Sequence, residues 1–171
     1  GPDQEAVKAA AVTLRTAKRP VIYAGQGVHY AEAWPQLKEL VELLGAPTTT
    51  SLEGKSAFPE DHPLSLGSGG RSLPRTVHEF LQNSDVIFGI GCSFTSTNFG
   101  ITMPTGKTVI HATLDPIDLN KNVVSQNALA AFLIARGPSA VIALPPYDKP
   151  MLARPFSIEG ADEDADPGVP L

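Results

Sequence analysis

The sequence lacks the features that mark secreted, membrane-spanning and zinc-binding proteins. It has one cysteine among 171 residues, which excludes an internal disulfide and a multi-cysteine zinc site. No apolar run approaches the roughly 20 residues of a membrane-spanning helix. The first residues also lack the basic-then-apolar pattern of a secretory signal. We therefore expect a cytoplasmic protein that has no membrane partner.

Positive charge is also scarce. The chain has 13 basic and 18 acidic side chains, and positions 1–155 contain 13 of each sign, so the net charge of -5 comes from the carboxyl-terminal end. A neutral body without a basic stripe argues against nucleic acid as a partner. An acidic terminus is typical of a solvated tail. We expect one domain over residues 1–146 and a proline-rich, acidic, disordered tail over 147–171.

Helix-like and strand-like segments alternate along the first 124 residues. Apolar residues at helical spacing predict helices, and short apolar or β-branched runs predict strands. The predicted helices are residues 3–17, residues 32–44 and a third that begins at Ser72 or Pro74. The predicted strands are residues 20–24, 46–50, 85–90 and 107–112.

This alternation predicts an α/β fold with a mostly parallel sheet and right-handed crossovers. We expect a three-layer, Rossmann-like architecture of the DHS-like NAD/FAD-binding type. Residues 53–70 are predicted to form a long loop and residues 117–124 a short helical turn. The pattern weakens from residue 127 onward, and we expect ordered structure to end near Pro146.

In an open parallel sheet, ligands bind beyond the carboxyl ends of the strands, where four loops of this chain would converge. The candidate cofactor-binding residues in these loops are Gly25, Gly27, Ser51, Gly54, Lys55, Gly91, Cys92 and Asp115. A full dinucleotide fingerprint would need a third glycine where Tyr30 stands. The first glycine turn is therefore interpreted as a tight strand-to-helix connection, which is favoured, or as a nucleotide cradle.

Two charged candidates allow two interpretations each. Asp115 could accept hydrogen bonds from a ribose or an adenine amine, or it could cap the turn that Pro116 begins, and capping is favoured. Lys55 could pair with a phosphate or remain solvated.

No catalytic constellation is predicted. The four histidines are scattered along the chain, and none can be paired with Cys92 from sequence alone. An inert, buried thiol is the favoured interpretation of Cys92. Ser93 and Ser96 lack the context of a nucleophile elbow. We therefore predict neither a catalytic residue nor a metal ligand.

Four segments together resemble a known family. The first, AKRPVIYAGQGVHYAEAWPQLKELVELLGAPTTTS, has a strand that ends in a glycine-rich turn, then a helix and a second strand. The loop fits the pattern G-x-x-x-F-P-x-x-H-P-L-x-x-G through Gly54, Phe58, Pro59, His62, Pro63, Leu64 and Gly67. SDVIFGIGCSF and KTVIHATLDPIDLNKN fit two further segments, the latter with Asp115, Pro116 and Lys121 in register. The chain resembles the central domain of thiamine-diphosphate-dependent enzymes of the acetolactate synthase type over residues 5–124. Residues 124–171 do not fit the family's pattern.

The resemblance implies a central structural domain of a three-domain transferase or lyase that acts on 2-oxo acids. Acetolactate synthases, oxalyl-CoA decarboxylases and benzoylformate decarboxylases are such enzymes, and their outer domains bind thiamine diphosphate and Mg²⁺ across a dimer interface. The chain has no Gly-Asp-Gly, the family's metal and diphosphate motif, so the resemblance implies no catalysis by this chain alone.

The resemblance also bears on ligands and partners. Some central domains hold FAD or ADP at the strand ends. FAD-binding relatives often have an arginine just after the position of Cys92-Ser93, where this chain has Phe94 and Thr95, which disfavours FAD. A domain separated from its neighbours would expose apolar faces. We therefore expect self-association, or a partner chain that carries the missing domains.

Two alternatives remain open at this stage. The chain could be a stand-alone module that binds ADP, FAD or NAD. It could also be a sirtuin-like deacylase, which shares a related fold and a glycine-rich first turn. The sirtuin zinc site needs four cysteines, and this chain has one, so the deacylase is the weaker alternative.

Overall fold

The computed structural model describes residues 3–130. Its α-helices are α1 (Gln4–Thr16), α2 (Gly27–Tyr30), α3 (Trp34–Leu44) and α4 (Arg75–Asn83). Its strands are β1 (Pro20–Ala24), β2 (Thr48–Thr50), β3 (Ser65–Ser68), β4 (Val86–Ile90), β5 (Thr108–Thr113) and β6 (Asn127–Ala130). A 3₁₀ turn covers Pro116–Asp118.

The six strands form one parallel sheet in the order β3-β2-β1-β4-β5-β6. The chain moves outward from β1 to β3, then returns to the other side of β1 and moves outward again. The strand order therefore reverses between β1 and β4, which is the topological switch point of a doubly wound fold. The predicted α/β, three-layer, Rossmann-like fold class is confirmed.

Apolar side chains cover both faces of the sheet, as its continuous hydrophobic strands require. Ile22, Phe88 and Ile110 are in register and belong to the core that α1 and α3 complete. Their neighbours Val21, Ile87 and Val109 point to the opposite face, where α4 adds Val77 and Leu81. Because β1 and β4 are buried along their whole length, they fix the centre of the molecule.

The helices begin and end where the sequence provides caps. The Asp3 carboxylate accepts a hydrogen bond of 3.0 Å from the Glu5 N–H at the start of α1. Pro35 lies in the first turn of α3, and Gly45 ends that helix in a left-handed conformation with φ of 58°. Among residues 3–130, no helix is both long and apolar enough to cross a membrane.

Two strands are absent from the sequence prediction. β3 lies within the predicted loop 53–70, and Ser-Leu-Gly-Ser gives no β-branched signal for it. It is a half-buried edge strand that the Thr49 hydroxyl holds by donating to the Gly67 carbonyl at 2.8 Å. β6 lies where the pattern weakens, and the Asn127 amide donates to the Thr13 hydroxyl of α1 at 3.0 Å.

Three other expectations are corrected or fall outside the described residues. The predicted helical turn over 117–124 is shorter, because only Pro116–Asp118 is helical. The sequence prediction has no counterpart for α2. The domain end at 146 and the tail over 147–171 lie outside residues 3–130.

Candidate functional site

A cavity of about 570 Å³ opens beyond the carboxyl ends of β1, β2, β4 and β5. It lies at the switch point, where doubly wound sheets bind ligands. Six of the eight sequence-predicted site residues line it: Gly25, Gly27, Ser51, Gly91, Cys92 and Asp115. The structure does not bring the other two, Gly54 and Lys55, into the lining of this cleft.

Gly54 and Lys55 instead hold the loop after β2. The Gly54 N–H donates to the Ser51 hydroxyl at 3.0 Å. A Cβ on Gly54 would lie 2.6 Å from the Ala24 carbonyl, so the loop packs directly on the end of β1. The Lys55 ammonium pairs with Glu60 at 2.9 Å.

A histidine and a tryptophan tie the same loop to the helices. The Nε2 of His29 in α2 lies 2.9 Å from the Lys55 carbonyl. The indole N–H of Trp34 in α3 donates to the His29 Nδ1 at 2.9 Å. Because Nδ1 accepts, the proton of the neutral ring lies on Nε2 and is donated to the loop.

The glycines at the switch point pack on one another. The Gly27 N–H donates to the Gly91 carbonyl at 2.8 Å, and the Gly25 N–H donates to the Ile90 carbonyl at 2.9 Å. A Cβ on Gly27 would lie 2.8 Å from the Gly91 Cα, and one on Gly91 would lie 2.7 Å from the Val28 nitrogen. The contact between two chain segments accounts for these glycines without a ligand.

Phe94 returns from the loop after β4 and lies over the sheet. Its backbone has φ of 49°, and its ring lies 5.6 Å from the Tyr23 ring and 4.7 Å from the His111 ring. Tyr23, Gly89 and His111 are in register on β1, β4 and β5. The missing side chain of Gly89 leaves the space that the Phe94 ring occupies. We call Tyr23, Phe94 and His111 the aromatic floor.

Sequence reasoning missed this floor. The available signal was the glycine inside the apolar strand DVIFGI, since such a glycine often marks a close approach by another group. The signal does not say which side chain fills the space. Phe94 is 8% exposed and His111 is fully buried, so the floor belongs to the core. Tyr23 and Phe94 also line the cleft, whereas His111 lies beneath them and does not.

Burial controls the protonation of the floor and of Cys92. Burial lowers the pKa of His111, whose Nε2 lies 2.7 Å from the Cys92 carbonyl. The Nδ1 of His111 has no hydrogen-bond partner among the described residues, which fits a neutral ring that carries its proton on Nε2. Burial raises the pKa of the Cys92 thiol to about 12, and the Asp118 charge also contributes. A thiol protonated at neutral pH is a poor nucleophile.

The charges that line the cleft are all negative among the described residues. The cleft has the carboxylates of Glu53, Asp115 and Asp118, and no lysine, arginine or histidine of the described chain lines it. The Asp115 carboxylate accepts from the Ile117 N–H at 2.9 Å, so it caps the turn after β5. Residues 3–130 contain no group of three or more histidine, cysteine, aspartate or glutamate side chains that could hold a metal ion.

The strand order and the cleft define a doubly wound domain with a ligand-sized cavity at its switch point. The family model described as "Thiamine pyrophosphate enzyme, central domain" matches residues 7–134, and the chain belongs to this family. The match extends past residue 124, where the sequence resemblance ended, so the segment with β6 also belongs to the family pattern.

The relatives agree with this assignment. The chain is 40% identical over 119 residues to a probable acetolactate synthase large subunit of Methanococcus aeolicus, which covers 68% of this chain and 20% of the relative. It is 38% identical over 122 residues to the acetolactate synthase isozyme 3 large subunit of Escherichia coli, covering 70% and 21%. The chain thus spans about a fifth of the length of the curated relatives it matches.

A solved structure gives the same result. The fold is similar to benzoylformate decarboxylase from Polynucleobacter necessarius, with a TM-score of 0.64 and 28% identity. The similarity covers 77% of this chain and 25% of that chain.

Proposed function

We propose that this chain is the central, supporting domain of a thiamine-diphosphate-dependent enzyme that acts on 2-oxo acids, and that it does not catalyse the reaction alone. The family match over residues 7–134 is the observation that carries the proposal. Relatives named as acetolactate synthases favour a transferase, and the benzoylformate decarboxylase neighbour favours a lyase.

In this proposal, thiamine diphosphate and Mg²⁺ are bound by other domains of the enzyme. Thiamine diphosphate supplies the carbanion stabilisation that cleavage beside a 2-oxo acid carbonyl requires. Several polar groups at the cleft have structural tasks instead. The Asp115 carboxylate caps a turn, and the Gly25 and Gly27 N–H groups donate to the Ile90 and Gly91 carbonyls. Burial keeps the Cys92 thiol protonated.

Exposed apolar side chains support a role in assembly. Ile117 and Val124, in the segment between β5 and β6, are 76% and 71% exposed. Contiguous exposed apolar surface favours association, and these two side chains belong to one short segment. We infer that this segment contacts a second copy of the chain or a partner chain that carries the cofactor-binding domains.

The purified chain tests the catalytic part of the proposal. It is titrated calorimetrically with thiamine diphosphate and Mg²⁺ together, and it is assayed for consumption of pyruvate. We expect no saturable heat at cofactor concentrations up to about 1 mM, a range that covers weak binding, and no turnover. Saturable binding or turnover of the 2-oxo acid would overturn the proposal.

A second candidate is a stand-alone module that binds ADP, FAD or NAD, which the cavity at the switch point favours. The two candidates differ in their need for a partner. Tight nucleotide binding by a monodisperse monomer would favour the module. Association through the segment between β5 and β6 would favour the supporting domain.

A further inference from the structure

The cleft offers little to a phosphate group. A Rossmann-type diphosphate site uses backbone N–H groups of the first turn and the positive end of a long helix. Here the N–H groups of Gly25, Gly27 and Val28 already donate to carbonyls of the protein, at 2.9, 2.8 and 3.2 Å. The helix that follows, α2, is four residues long and therefore lacks a substantial dipole.

The side chains add repulsion. The Glu53 and Asp118 carboxylates raise the pKa values of neighbouring groups in the cleft. The pKa of Tyr23 is raised by burial, then by Cys92 and by the Glu53 charge. Asp118 is likewise among the groups that raise the pKa of Cys92. Lys55, the one cation predicted for this site, pairs with Glu60 instead. A diphosphate would meet like charge with no cation from the described residues to offset it.

The cleft offers more to a neutral ring. The side chains of Tyr30 and Phe99 line it and are 75% and 71% exposed, so their aromatic rings are available for stacking. Ser51, Ser93 and Thr95 also line it. The Ser51 and Ser93 hydroxyls each accept one backbone N–H, at 3.0 and 3.2 Å, which leaves each oxygen a second lone pair. Carboxylates and hydroxyls accept hydrogen bonds from the hydroxyl groups of a sugar or polyol.

We infer that this cleft binds an uncharged, ring-bearing molecule with hydroxyl groups, of the nucleoside class, and rejects phosphate esters such as ADP and FAD. The resemblance allows FAD or ADP at this position, since some central domains of the family hold one of them, and the residues present do not fit the diphosphate of either. Specificity rests on the Glu53 and Asp118 carboxylates, while Tyr30 and Phe99 contribute the ring contacts.

Paired ligands that differ only in phosphate-bearing groups test this inference on the unmodified chain. Adenosine is compared with ADP, and riboflavin with its monophosphate FMN, by isothermal titration. We expect the phosphate-free partner of at least one pair to bind and its phosphorylated partner to bind at least about tenfold more weakly. Raising the salt concentration from about 0.05 M to about 0.5 M should reduce this difference in affinity, since salt screens charge repulsion.

A double variant tests the cause. In the variant Glu53→Gln with Asp118→Asn, the affinities of the phosphate-free ligand and its phosphorylated partner should differ by only about threefold. Two of the three carboxylates of the cleft become neutral in this variant. Glu39→Gln changes an exposed carboxylate on α3, outside the lining of the cleft, and should leave the difference unchanged.

Three results would overturn the inference. One is ADP or FMN binding at least as tightly as its phosphate-free partner, and another is the absence of binding by all four compounds. The third is a folded double variant that keeps the full difference. All three are independent of thiamine diphosphate binding, so failure here is distinguishable from failure of the supporting-domain proposal.

Discussion

The two sides of the cleft are built on opposite principles. On the inner side, the Gly25 and Gly27 turn packs on Gly91 with its N–H groups bonded to carbonyls, and the aromatic floor closes the space over β4. On the outer side, Phe99 and Ile117 extend into solvent from the loops after β4 and β5. The comparison shows that closely packed backbone holds the sheet together, while the rim leaves apolar side chains available for other molecules.

The largest effect is expected where the backbone segments touch. Gly91→Ala places a Cβ 2.7 Å from the Val28 nitrogen, in a backbone with φ of 62°. Left-handed backbone costs about 1–2 kcal/mol and the close contact adds to it, so we expect a loss of more than about 3 kcal/mol of unfolding free energy. Urea denaturation followed by circular dichroism measures it.

Gly106→Ala is the matched control for this change. Gly106 has φ of 74°, but a Cβ there would meet no atom within 4 Å. Only the backbone cost of about 1 kcal/mol should remain. Equal losses for the two variants would show that close packing at the switch point contributes little to stability.

Substitutions of two phenylalanines in one loop test whether the floor contributes more to stability than the rim. Phe94→Ala empties the space over Gly89 and should cost about 3 kcal/mol, as for other buried aromatic side chains. Phe99→Ala removes a side chain that is 71% exposed and should change the unfolding free energy by less than about 0.5 kcal/mol. Chemical denaturation of both variants tests this, and a reversed order would contradict the assignment of Phe94 to the core.

The floor should also make stability depend on pH. Burial lowers the pKa of His111 in the folded state, so the unfolded chain binds the proton more readily. The neutral ring therefore favours folding above the unfolded pKa of about 6.5, and this contribution is lost as the pH falls through and below that value. Urea midpoints measured between about pH 5 and about pH 8 should decline toward acid.

The variants His111→Gln and His78→Gln distinguish the contribution of the buried ring to the pH dependence of stability from that of an exposed ring. His111→Gln should flatten the acid decline, although it also lowers stability overall by disturbing the floor. His78 is exposed on α4, so His78→Gln should leave the profile unchanged. An unaltered decline in His111→Gln would assign the pH dependence to other groups.

The smallest effect on stability is expected at the rim, where assembly is the more sensitive measurement. Ile117→Ser with Val124→Ser removes two exposed apolar side chains and should shift the chain toward monomer in sedimentation velocity experiments. Val12→Ser removes another exposed apolar side chain, on α1 and outside the segment between β5 and β6, and serves as the control. Equal association by the unmodified chain, the double variant and Val12→Ser would argue against an interface at this segment.

The sequence predicts the centre of the sheet better than its edges. β1 is observed over Pro20–Ala24, as predicted, because a proline and a glycine bound a continuous apolar run. β3 and β6, the outer strands of the sheet over residues 3–130, are not predicted because Ser-Leu-Gly-Ser and Asn-Ala-Leu-Ala have no continuous apolar or β-branched pattern. Their positions depend on pairing with β2 and β5, which a local pattern does not report.

The candidate site shows a similar division. The loops that form the cleft were predictable, because the carboxyl ends of parallel strands share one edge of the sheet. The direction of individual side chains was not, since the Lys55 pairing with Glu60 and the return of Phe94 over Gly89 arise from tertiary contacts. The assignment of Gly54 and Lys55 to the cofactor cleft therefore remains a prediction that the observed lining does not support.

The hydrogen bond from Trp34 to His29 gives the molecule an intrinsic optical reporter. Trp34 is the chain's only tryptophan, so all indole fluorescence comes from one place. Through His29, that indole is linked to the carbonyl of Lys55. We therefore expect the emission intensity and wavelength of Trp34 to change when the loop after β2 detaches, which needs neither a dye nor a label.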